Sequence, residues 1–175
     1  MTQFTIPEGS GEAILGYVRR KSLEWTAAQM VERVEDALGV LERAMAAVPH
    51  GDLERVAPGE EWAPLFCMLH VAEINIATAS RCAGVAKSGL LPAGPPSPLG
   101  ADRPGLMAGQ RRALERAFAD IRAAGEVTHA GLTWTHPLLG ELNWREWFLT
   151  LRVHCLAHAA QLEALRAALG QAGAG

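Results

Sequence analysis

The chain has 175 residues, of which 49% are hydrophobic and 20% charged, and its formal net charge is -3. That length supports a single domain, residues 1–175, with a sizeable core, and the composition excludes a disordered chain. A mildly acidic balance argues against a nucleic-acid partner or an anionic membrane surface.

The first residues, MTQFTIPEGSGEA, have no basic stretch leading into an apolar one, so they do not read as a signal peptide. Helical periodicity then runs from about Glu12 to Val48, with Met30, Val34, Leu38, Leu41 and Met45 on one stripe. A break near Ser22 is compatible with the pattern, and Pro49, His50 and Gly51 close it. After the turn-like APGEEWAP, a second helix is expected from Trp62 to about Lys87, with Pro64 suited to its first turn. His70 lies on this helix and shares a face with Phe66, Ile74 and Ala77, which predicts that it points at the core. Glu73 is three residues further on, close to that face.

Residues 88–102, SGLLPAGPPSPLGAD, form a Pro/Gly-rich link far longer than the about 2–8 residues that neighbouring antiparallel helices need. Such a link can run back along a bundle and leave the helices on either side of it parallel. A third helix follows from about Pro104 to Ala124, with Leu106, Leu114, Phe118 and Ile121 inward. Its arginines 111, 112, 116 and 122 alternate with Glu115 and Asp120, the pattern of a solvated face rather than a polyanion site. Residues 125–142 read as irregular and include THPLLGEL, in which His136 either fixes the approach to the last helix or lines a site. That helix is expected from about Asn143 to Leu169, ending at Gly170 with QAGAG as a frayed tail. No segment alternates long enough to predict a strand, and no uncharged apolar run reaches the roughly 18 residues of a membrane span. Cys67, Cys82 and Cys155 are scattered and odd in number, as in the reduced thiols of a cytoplasmic protein. The expectation is an all-α four-helix bundle, up-down-down-up.

The stretch RVHCLAHAAQ carries His154 and His158 four residues apart on the apolar stripe of Trp144, Trp147, Phe148, Leu151, Cys155, Leu162 and Leu165. Four residues turn a helix by about 400°, so both imidazoles face the same way, one turn apart. Read alone, the pair fits a packing role and a metal role equally well. His70 adds a third inward imidazole from a helix that can pack opposite. Three nitrogen donors with the remaining positions open is how catalytic zinc-type sites are built. Glu73 is then a candidate ligand, an outer hydrogen-bond partner, a proton acceptor, or simply a surface acid. His50 and His129 read as solvent-exposed. There is no GxGxxG, GxxxxGK[ST] or GxSxG, so nucleotide-binding and serine-hydrolase readings have no foothold.

EEWAPLFCMLHVAE resembles the second-helix motif of the DinB/YfiT-like family, a tryptophan followed by a histidine about eight residues on. HPLLGELNWREWFLTLRVHCLAHAAQLEALR resembles its last-helix motif, HPxxG, a tryptophan-rich turn, then HxxxHxxQ. The resemblance implies a four-helix bundle holding zinc or nickel through His70, His154 and His158, and commonly a homodimer. It implies a metal-dependent enzyme acting on a small-molecule substrate, foremost a transferase or isomerase using a low-molecular-weight thiol and a small electrophile. A metal-dependent hydrolase and a non-catalytic metal- or ligand-binding stress protein are the alternatives.

Overall fold

The computed structural model describes residues 10–92, 103–125 and 129–172, without the side chains of residues 103 and 104. The described chain is mostly helical. Helix α1 is Ser10–Glu24, α2 Ala27–Ala47, α3 Pro64–Ser88, α4 Arg103–Ala124 and α5 Trp144–Ala172. Between α4 and α5 lies a two-stranded antiparallel hairpin, β1 Thr133–His136 and β2 Gly140–Asn143.

The single first helix expected from Glu12 to Val48 is two helices. Thr26 ends the first and starts the second: its hydroxyl accepts from the Gln29 N–H, while the Gln29 side chain accepts from the Thr26 N–H. This reciprocal cap satisfies two donors that a continuous helix would have paired internally. The break therefore falls at Trp25–Thr26, a turn beyond Ser22.

The other starts and stops are equally local. Pro64 opens α3 at a position where the missing N–H costs nothing. Gly89 closes it in the left-handed region, φ 68, its N–H donating to the Val85 carbonyl at 2.9 Å. A β-carbon at Gly89 would sit 2.6 Å from the His129 ring and would have to displace it, in a backbone conformation that favours glycine. Asn143 caps α5, accepting from the N–H groups of Arg145 and Glu146, while Glu146 accepts from the Asn143 N–H. At its other end α5 runs through Gly170 to Ala172, past the expected stop. Leu169 is buried and docks the last turn, and Gly170 does not take the left-handed conformation that would end it.

The hairpin was not expected, because strands of four residues are too short for alternation to register. It is built by turn chemistry. His136 pairs with Gly140 across a three-residue loop, and Gly140 has φ 75. Leu142 on β2 is fully buried.

Cys67 meets His158 and Gln161, and Asn75 meets His154 and Cys155, so α3 and α5 run in opposite senses. Glu42 pairs with Arg111, and Glu35 with Arg122 at 2.6 Å, so α2 and α4 also oppose each other. Lys87 near the end of α3 pairs with Asp120 near the end of α4, at 3.2 Å. The core between the helices is apolar, with Trp144, Phe118, Phe148, Met30, Leu38 and Leu41 fully buried. Most of the link at residues 88–102 and the tail at 173–175 lie outside the described residues. Among those described, no helix is long and apolar enough to cross a membrane. Cys67, Cys82 and Cys155 are free and buried.

Candidate metal centre

The α3–α5 interface gathers the three histidines. His154 and His158 stand on consecutive turns of α5, ring centroids 4.4 Å apart. The His70 ring from α3 is 5.8 Å from His154 and 5.3 Å from His158. One donor atom from each of the three lies within 4.8 Å of the other two, near enough for small side-chain rotations to converge on one ion.

The burial of the trio differs from the expected face on α3. Phe66 and Ile74, predicted inward with His70, are 55% and 42% exposed. α3 packs against α4 as well as α5, so its buried arc centres on Met68, Val71, Ala72, Asn75 and Ala79. His70 stands at the edge of that arc, half-buried, while His158 is 1% exposed. The site thus lies between α3 and α5 with one donor at the rim.

Two amide side chains orient the rings. The Nδ1–H of His154 donates to Asn75 Oδ1 at 3.0 Å, and that of His158 to Gln161 Oε1 at 2.7 Å. An amide oxygen only accepts, so each Nδ1 carries the hydrogen and each lone pair falls on Nε2. Fixing a ligating ring through its other nitrogen is the usual outer arrangement of a metal site. Asn75 is itself steadied by donating to Cys155 Sγ at 3.3 Å, and the Cys67 thiol donates to Gln161 at 3.4 Å. Burial pushes the Cys67 and Cys155 thiols up to about 12, so they remain S–H groups and not thiolate ligands.

Electrostatics keep the trio neutral. Burial, then the neighbouring imidazoles His158, His70 and His136, pull His154 down to about 3. Burial lowers His158 to about 4, against the raising effect of its bond to Gln161. Burial also lowers His70, partly opposed by the charge of Glu73. All three imidazoles therefore offer lone pairs at neutral pH. The donor set, its tautomers and its charge state fit a divalent ion of the zinc type.

Aromatic rings wall the site. Trp62, just before α3, lies parallel to His158 at 6.3 Å and edge-on to His70 and Phe66, both at 5.0 Å. Toward the other end of the α5 face, Trp147 stacks on Trp134 at 5.5 Å and is met by His136 at 4.6 Å.

Glu73 is exposed and is not part of the three-histidine grouping. His136 does fix the turn before α5: its Nδ1 accepts from the N–H groups of Leu138 and Leu139, at 3.1 and 3.2 Å. His50 and His129 are exposed, as expected. Asn75 and Gln161 have orienting roles that sequence reasoning missed. A lone asparagine in the apolar run VAEINIATA, and a glutamine three residues after His158, were the available signals. No family model, curated protein or solved structure matches this chain.

Proposed function

We propose that the chain is a metal-dependent enzyme of the DinB/YfiT-like kind, joining a low-molecular-weight thiol to a small electrophile or isomerising one with its help. The observation that carries this reading is the trio itself: three neutral imidazoles, two of them pre-oriented by amide side chains and the third at an exposed apolar rim. Three protein donors leave positions for an incoming group, whereas a storage or structural site closes its coordination with protein.

Bound by His70, His154 and His158, zinc or nickel would supply Lewis acidity, favouring the reactive thiolate form of a thiol. The protein's part is positioning. Asn75 and Gln161 hold two rings in one tautomer, so only small ring rotations are needed to close on an ion. Trp62 and the exposed Phe66 and Ile74 offer an apolar surface for the carbon skeleton of the electrophile. Glu73, exposed near His70, is available as a proton acceptor at the rim.

The same reading takes α2, α3, α4 and α5 as an up-down-down-up bundle. The Lys87–Asp120 pair and the opposed registers of α2 with α4 and of α3 with α5 support it.

Cobalt-loaded protein tests the enzymatic reading. Adding a small thiol such as β-mercaptoethanol should produce a sulfur-to-cobalt charge-transfer band. Metal-loaded protein should then accelerate thiol addition to a simple electrophile, and the metal-free protein should not. Cobalt bound with no response to any thiol would contradict the thiol reading.

A further inference from the structure

His136 is held by the hairpin in a way that its turn-closing role does not exhaust. Its Nδ1 accepts two backbone N–H groups, from Leu138 and Leu139. Pro137, lying between, has no N–H to compete. With the Nδ1 lone pair engaged, the ring hydrogen of the neutral imidazole must be on Nε2. Among the described residues, that Nε2–H has no hydrogen-bond acceptor. The ring is held against Trp147, which is in turn tied to the hairpin by donating its indole N–H to the Trp134 carbonyl at 3.0 Å. One N–H is thus fixed in tautomer and position and, among the described residues, left without an acceptor.

Its placement relates it to the trio. Trp147 precedes His154 by seven residues, about two turns and about 10 Å along the same face of α5. Ile74 on α3 and Leu138 in the hairpin turn are exposed apolar side chains. A small molecule held at the trio and lying along α5 toward Trp147 would bring its far end to the His136 ring packed there.

We infer that His136 is a specificity residue whose Nε2–H receives a carbonyl or carboxylate oxygen at the far end of the molecule bound at the trio. The inference rests on reading the trio as a metal site. The ligand class is a small carbon skeleton with a metal-binding group at one end and an oxygen acceptor at the other. Compounds ending in an ammonium group offer His136 no lone pair and are disfavoured.

Two substitutions separate recognition from turn closure. His136→Asn keeps an acceptor near the Nδ1 position, so the turn persists, but it removes the Nε2–H. His136→Gln keeps a donor near the Nε2 position and loses the turn acceptor. Cobalt-loaded proteins are titrated with azide, which needs only the metal, and with succinate, which has a second carboxylate, while the visible spectrum is followed. The wild type should bind succinate about tenfold more tightly than His136→Asn, the size expected for one hydrogen bond to a charged acceptor. Azide should bind both equally. His136→Gln should melt lower than His136→Asn yet bind succinate better. Equal succinate affinity in wild type and His136→Asn, with azide bound by both, overturns the inference and leaves the metal site standing. Failure of the wild type to take up cobalt defeats the metal reading instead. In that case nitrogen NMR of metal-free protein still decides the donor: an Nδ1–H tautomer at His136 overturns it.

Discussion

Asn75 Oδ1 lies 3.0 Å from His154 Nδ1 across the α3–α5 interface, and the same amide donates to Cys155 Sγ at 3.3 Å. The bond reaches from one helix to the other, so helix packing and ring orientation are coupled. Asn75→Ala should leave the His154 ring free to turn and lower metal affinity about 10- to 100-fold, the usual cost of losing an outer partner. Competition with a chromogenic chelator measures this. Affinity unchanged within about twofold would show that the amide does not orient the ligand.

The depressed histidines set a pH dependence for the metal-free protein. Above about pH 6.5 these imidazoles are neutral in both folded and unfolded chains. Below it the unfolded chain binds protons that the folded chain refuses, because His158 and His154 hold out to about 4 and about 3. The unfolded state then carries more protons, so stability falls as pH drops from about 6.5 toward those values. Melting temperatures of metal-free wild type should therefore decline over that range more steeply than those of a His154→Leu, His158→Leu double variant. Parallel curves for the two proteins would refute the assignment. Because the folded rings refuse protons, metal should also remain bound well below pH 6.5.

Arg145 ties the start of α5 to the break between α1 and α2. It is 5% exposed, its Nε donates to the Ser22 carbonyl at 2.9 Å, and a terminal nitrogen donates to the Trp25 carbonyl. Arg145→Met keeps the apolar stem but strips both carbonyls of a charged donor. The expected loss is about 2–3 kcal/mol, read as a lowered urea midpoint at unchanged slope. A change below about 0.5 kcal/mol would mean that water replaces the guanidinium without cost.

The long helices were legible because periodicity accumulates over many residues, as along Met30, Val34, Leu38 and Leu41, all buried. The α5 half of the site was legible for the same reason: a spacing of four puts His154 and His158 on one face whatever surrounds them. His70 joins them only through the packing of α3, and there the pattern misled. Phe66 and Ile74 share its face but lie outside, because α3 is buried between two helices and its covered arc is rotated away from them. The hairpin is held by the His136–Leu139 turn and by pairs such as Trp134 with Leu142. Four-residue strands leave too little alternation to be read. Asn75 and Gln161 matter through hydrogen bonds whose partners only folding, or a helical turn, reveals.

The metal content of purified protein after identical zinc loading and dialysis tests the central claim most directly. Wild type, His70→Ala, His154→Ala and His158→Ala are measured side by side, with circular dichroism confirming that each remains helical. The account predicts about one ion per chain in the wild type, held at about 2.0–2.1 Å by three imidazole nitrogens in X-ray absorption, and marked loss in every variant. A folded His154→Ala protein that retains wild-type zinc would contradict it.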